Sequence, residues 1–152
     1  MLVQYTDINM SNTGPRGRTL GTEDTGTQFA DMLITPIAAG YHFDEVNHLS
    51  LSLPIYVPTG AYNDDRLANP GQNTYTFMPT VAFTHLDGKG GEFTLSSGLE
   101  FYTENDATDY RNGNIFTLDA LWTHGFGNGW NAGIAAGYIQ QITDDSGSGA
   151  DS

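Results

Sequence analysis

Glu100 and Asp119 are the residues in this chain best placed to do chemistry together, because they lie on neighbouring stretches of alternating sequence in the same polar phase. If Tyr102 faces Ile115 across the segment that joins those stretches, Glu100 stands opposite Thr117 and diagonal to Asp119, and two carboxylates share one patch. Such a pair can serve as general acid and base, but hydrolysis also needs a cleft that holds the scissile bond between them. No such cleft is legible, so the pair reads as hydrated wall or as an acidic constriction favouring cations and the polar ends of solutes. His42, Glu45 and His48 have a spacing that converges on a metal only if helical, and they span an expected turn, so no metal is assigned. Charged residues gather at Asp64, Asp65 and Arg66, at Glu104, Asp106, Asp109 and Arg111, and at Asp144 and Asp145. None of these groups has the calcium-loop spacing with its closing Glu, so they read as solvated loops open to divalent cations. GFGNG, from Gly125, lacks a following helix to hold a phosphate and reads as a hairpin turn. With no nucleophile elbow and no phosphate loop, no catalytic residue and no cofactor is assigned, and the chain is not read as an enzyme.

The totals narrow the partners. The 152 residues carry 18 Asp and Glu against 5 Lys and Arg, a formal net charge of -13. That field repels a phosphate backbone and argues against nucleic acid. Cysteine is absent, which excludes disulfides, thiolate zinc sites and Cys nucleophiles and suits export through an oxidising periplasm. No apolar run approaches the roughly 18 residues of a spanning helix. MLVQYTDINM has neither the basic start nor the apolar stretch of a signal peptide. If the chain is exported, residues 1–152 are expected to be a single segment cut at its N-terminus and open to the same reading at its C-terminus.

The elements that must position these residues are strands. LSLSLPIYV, Leu49 to Val57, alternates apolar and polar residues without a break, as a strand with one oily and one wetter face does. The same period marks spans near 29–43, 75–86, 92–102, 115–126 and 130–141, with a partial strand at 2–9, whereas helical periodicity is absent. Connections alternate in length: short polar turns near Asp44 and Glu45, at Asp87–Gly91 and at Gly127–Gly129, and long ones over 58–74, 103–114 and beyond Ile142. Tight turns at one end, longer loops at the other and spans of about 9–11 residues are the pattern of an outer-membrane barrel.

The faces sharpen that reading. One phase carries Leu, Phe, Val, Ile, Ala and Trp. The other carries the residues expected to line a lumen, namely Ser50, Ser52, Tyr56, Thr76, Thr80, Thr84, Thr94, Ser96, Glu100, Thr117, Asp119, Thr123 and Asn131. A closed sheet with lipid outside and water inside requires that division. Aromatic residues fall near both ends of the spans, as interfacial belts do. His85, Ser97 and His124 fall on the oily phase against the pattern, and 29–43 has no clear face. Pro36, Pro54 and Pro79 interrupt strands and need bulges or broken pairing. Pro54 and Pro79 mark a wall kink, read either as a lateral gap for apolar solutes or, more commonly for barrels, as a rim bulge.

VPTGAYNDDRLANPGQNTYTFMPTVAFTHLD, EFTLSSGLEFYTENDATDYRNGNIFTLDA and HGFGNGWNAGIAAGYIQQITDDSGSGA resemble the outer-membrane β-barrel family of meta-pathway phenol-degradation proteins, over about residues 29–150. The PTG, LAN, TDYR, FGNG and QQITDDSG signatures occur in order. The resemblance implies a transmembrane barrel, longer than this chain and led by a signal peptide, to which passage of hydrophobic or aromatic molecules linked to aromatic degradation is ascribed. The expectation is thus an all-β, antiparallel up-and-down barrel segment of about six to seven strands in the bacterial outer membrane. It would act as a passive channel, with lipid, lipopolysaccharide and small hydrophobic solutes as partners. Two alternatives stay open: a structural or adhesive outer-membrane protein, and a soluble β-sandwich that binds carbohydrate through exposed aromatics.

Overall fold

The computed structural model describes residues 5–13, 19–66 and 68–151. The described residues are all-β and antiparallel, with a 3-10 turn at Ser148–Asp151. Two strands, β1 (Tyr5–Thr13) and β2 (Thr19–Phe29), pair as a separate hairpin. The other seven form one sheet: β3 (Met32–His42), β4 (Asn47–Val57), β5 (Thr76–Phe77), β6 (Thr80–Leu86), β7 (Glu92–Tyr102), β8 (Ile115–Gly125) and β9 (Asn131–Gln141). β5 and β6 occupy one strand position, interrupted at Met78 and Pro79. The order is a simple meander, with β3 and β9 as its outer edges.

Strand and turn lengths follow the expected rhythm. β3, β4, β7, β8 and β9 are each 11 residues long, nearly twice the usual soluble strand of about 5–6. The connections 43–46, 87–91 and 126–130 lie at one end, and 58–75 and 103–114 at the other. Local chemistry closes the tight turns. Asp44 Oδ1 accepts from the Val46 and Asn47 amides at 2.8 and 2.7 Å, and Asp87 Oδ1 from those of Lys89 and Gly91 at 2.7 and 2.8 Å. Gly88 and Gly90 hold positive φ of 69° and 94°, which a side chain would resist. These amide bonds favour the ionised form of Asp87, and in Asp44 the Asn47 side-chain amide does so first, so both carboxyls titrate below the ordinary aspartate value.

The span 29–43 lacked a readable face because its pairing shifts. Between Ile34 and Ile37 the register of β3 against β4 slips by one residue, at Thr35 and Pro36, as a bulge does. The slip inverts the phase, so Met32 and Ile34 above it share a face with Ile37, Ala39 and Tyr41 below it. No shift accompanies the other two prolines. β4 keeps one register from Ile55↔Phe77 to Ser52↔Thr80, with Met78 N donating to Pro54 O at 2.9 Å. β7 keeps one register past Pro79, whose carbonyl accepts from Leu99 N at 3.2 Å.

Among the described residues no second layer covers the sheet and no hydrophobic side chain is buried. Accessibility alternates in the reverse of a soluble strand: in β6, Thr80, Ala82 and Thr84 are half-covered while Val81, Phe83 and His85 are exposed. β7 repeats the pattern, with Phe93 and Leu95 exposed and Glu92, Thr94 and Ser96 half-covered.

Candidate functional site

The pairing puts all the expected lumen residues on one face. Directly opposed residues in an antiparallel ladder share a face. The rungs read Tyr56, Thr76, Tyr102; Ser52, Thr80, Gly98, Thr117; Ser50, Ala82, Ser96, Asp119, Gly137; His48, Thr84, Thr94, Leu121; and Glu92, Thr123, Gly133. Glu100 lies beyond Gly98 on the same face, opposite Ile115, and Asn131 closes β9 opposite Gly125. The Thr84 and Thr94 hydroxyls hydrogen bond at 2.8 Å, Thr94 donates to Glu92 Oε1 at 3.1 Å, and Thr123 Oγ1 accepts from Glu92 N at 3.0 Å. Glycines give these side chains room. A Cβ on Gly98 would meet Thr117 Oγ1 at 2.9 Å, and one on Gly137 would meet Asp119 Oδ1 at 2.8 Å.

One expectation about this face fails. The β7–β8 register sets Glu100 against Ile115 and Asp119 against Ser96. Ser96 and Glu100 are four positions apart, about 13 Å along a strand, so the two carboxylates do not share a patch. The ladder begins at Glu100 and Ile115, two residues deeper in β7 than a Tyr102–Ile115 pairing would place it. Glu100 accepts from its own neighbour on the face, the Tyr102 hydroxyl. Asp119 stands instead over a recess of about 350 Å³, lined by Thr94, Ser96, Leu121, Ala135 and Gly137. The polar side chains of Thr94, Ser96 and Asp119 meet there with the apolar Ala120, Leu121, Ala135 and Ala136.

The opposite face is apolar across the sheet. Its central rung is Ala39, Leu51, Val81, Ser97, Leu118 and Tyr138. Leu51 is 50%, Val81 40% and Tyr138 54% exposed. Ser97, the polar exception, opens on a depression of about 370 Å³ bounded by Leu51, Leu53, Val81, Leu99 and Pro79. His85 and His124 each lie one residue from the turn-end terminus of their strand. Tyr41, Phe43, Phe93, Trp122, Phe126 and Trp130 are exposed near the short turns, and Phe29, Tyr75, Phe77 and Phe101 near the long loops.

The long loops are built from residues that a search for chemistry passes over. Asp31, 7% exposed, accepts from Gly60 N at 2.9 Å and Gln72 N at 2.7 Å, so one carboxylate clamps both ends of loop 58–75. Gly60 and Gly71 are in contact there; a Cβ on Gly60 would lie 2.8 Å from Gly71 Cα. Asn105, also 7% exposed, accepts from Asn73 Nδ2 at 2.8 Å and donates to Gln72 O at 3.3 Å, tying loop 103–114 to the first. Asp145 then accepts from the Tyr110 hydroxyl, from Gly113 N at 2.8 Å and from Gln141 Nε2 at 2.8 Å. The Tyr110 hydroxyl chiefly holds the Asp145 carboxyl below the ordinary aspartate value, and the same bond raises the Tyr110 phenol. Ser148 Oγ donates to Asp109 Oδ2 at 3.0 Å. Asp109 and Asp145 are thus spent on structure, while Asp64, Asp65, Glu104, Asp106 and Asp144 are exposed. Among the described residues no group of three or more His, Asp or Glu is arranged to hold a metal ion.

The family model described as "Putative MetA-pathway of phenol degradation" matches residues 1–152. No curated protein and no solved structure matches the chain.

Proposed function

The chain belongs to the phenol-degradation family whose model spans it, and from that premise we propose that it forms part of the wall of an outer-membrane β-barrel through which small hydroxylated aromatic or hydrophobic molecules pass without chemistry. The observation that carries this reading is the reversed alternation of the central strands β6 and β7, in which the apolar residues are the exposed ones and the polar residues the better covered, together with large apolar side chains exposed across the sheet. Water would penalise that arrangement, and hydrocarbon favours it. Exposed aromatics near both ends of the strands fit headgroup anchoring. The recess at Asp119 suits a solute with an apolar ring and a hydroxyl, because Leu121 and Ala135 offer contact to the ring while Ser96, Thr94 and Asp119 offer hydrogen bonds. The docked loops 58–75 and 103–114 would restrict access from outside. In a bilayer the free ladders of β3 and β9 require partners, since an open edge cannot exist in hydrocarbon.

The test is swelling of proteoliposomes in an isotonic phenyl glycoside, a polar aromatic that crosses lipid slowly. Faster swelling than in protein-free liposomes is the expected result. Swelling at the lipid-only rate, with the protein inserted, excludes permeation and leaves a structural or adhesive wall. A monomer stable in buffer without detergent excludes the membrane itself.

A further inference from the structure

We propose that His42 and His48 form a two-imidazole site for a divalent transition-metal ion of tetragonal preference, Cu2+ or Ni2+, at the short-turn end of the polar face. The two residues close the β3–β4 hairpin directly opposite one another. Phe43 N donates to Asn47 O at 2.9 Å, which makes His42 and His48 the adjoining non-hydrogen-bonded pair, the kind in which side chains approach most closely. Their Nδ1 atoms lie 2.6 Å apart, with the rings at 81° to each other. Two ring nitrogens at that distance share one proton, so both come within reach of a single ion once the rings turn their lone pairs off the line that joins them.

The separation selects the metal. With metal–nitrogen bonds of about 2.05 Å, nitrogens 2.6 Å apart subtend roughly 80° at the ion, whereas the tetrahedral angle of zinc needs them about 3.3 Å apart. A cis pair at 90° needs about 2.9 Å, so the rings must part by only about 0.3 Å for a square or octahedral ion. Two positions come from the protein and the rest from water. On binding, the proton between the rings moves to the Nε2 of the donor ring, so both imidazoles remain neutral and no proton is lost. The hairpin is stiffened next to the site by Asp44, whose second carboxylate oxygen accepts from Asn47 Nδ2 at 2.7 Å. A chain of net charge -13 draws cations toward that face. The sequence spacing H-x-x-E-x-x-H hid the pair, because what matters is the register across a turn and not the helical repeat.

The experiment titrates Cu2+ chloride into the full chain in detergent micelles, followed by calorimetry and by electron paramagnetic resonance. One equivalent should bind with hyperfine structure from two nitrogens in a tetragonal field, and Ni2+ should compete better than Zn2+. His42→Ala and His48→Ala should each weaken binding by roughly a hundredfold, the loss of a second, already tethered ligand, and His85→Ala with His124→Ala should change nothing. Both rings stand at a strand end, so circular dichroism should show the variants folded. Copper binding in the His42→Ala/His48→Ala double variant at wild-type strength, a one-nitrogen spectrum, or a preference for Zn2+ over Ni2+ overturns the assignment.

Discussion

Replacing Val81 by Arg places a guanidinium in the middle of the apolar face. Val81 stands opposite Ser97, the central residue of the 11 in β7, five residues from either end. At about 3.3 Å per residue that is roughly 17 Å along the strand, and with a tilt near 40° about 13 Å along the bilayer normal. Half of an apolar band about 25 Å tall is the same distance, so Val81 lies at the midplane of the proposed bilayer. An Arg there costs about 2–4 kcal/mol, while near the headgroups it costs only about 0–1 kcal/mol. His85, on the same face one residue from the turn end of β6, supplies that second position. If water met this face, Val81, already 40% exposed, would accept Arg within about 0.5 kcal/mol, as surface positions do. Urea unfolding in lipid vesicles, followed through the fluorescence of Trp122 and Trp130, measures both. Val81→Arg should lower the midpoint with an unchanged slope, and His85→Arg should leave it nearly in place. Equal midpoints for the two variants would show that the apolar face does not lie in hydrocarbon.

Two further outcomes follow from the loops. Asp31→Ala strips the acceptor from the Gly60 and Gln72 amides, a loss of about 1–3 kcal/mol for each donor left unpaired, so trypsin should cut at Arg66 markedly faster, with Asp31→Asn intermediate; an unchanged cleavage rate removes the clamp. Asp145 titrates below its unfolded value because Tyr110, Gly113 and Gln141 bond its ionised form. Its contribution is therefore complete above about pH 4 and is lost as pH falls through the folded pKa. Hydrogen exchange at the Gly113 amide should accelerate on acidification below about pH 4, and Asp145→Asn should abolish that dependence; protection unchanged in acid contradicts it.

Period-two patterning made β4, β6, β7, β8 and β9 legible, because each keeps one phase along its length and the turns between them carry Gly, Asn and Asp. Where reading failed, a local irregularity was responsible. In β3 the bulge at Thr35 and Pro36 exchanges the faces midway, so neither phase is apolar throughout. β2, TLGTEDTGTQF, has Leu20 and Phe29 as its only large apolar residues and so carries no alternation to detect. Register was the least readable quantity. A shift of two residues preserves the phase of every side chain, so sequence placed Glu100 and Asp119 on the right face and at the wrong separation. The same freedom concealed the close approach of His42 and His48, which a register one rung away would have parted.

Motifs that resemble a family invite a search for chemistry in them, yet here they hold loops together. Gly60 of PTG rests on Gly71 and receives the Asp31 carboxylate. Asn69 of LAN accepts from Asn63 N at 2.8 Å inside the same loop. Tyr110 of TDYR donates to Asp145 of TDDSG, and Asp109 binds Ser148 just beyond. Each contact fixes a loop at one point, within itself or against a distant segment, so each needs particular residues at particular positions and leaves a recognisable string. The polar face makes a looser demand. It needs small or hydrogen-bonding residues in one phase, with glycine where a neighbour such as Asp119 must lie across the next strand, and many sequences satisfy that. Signature strings in this fold thus report how the loops are built, and the polar face is found only by following the pairing rung by rung.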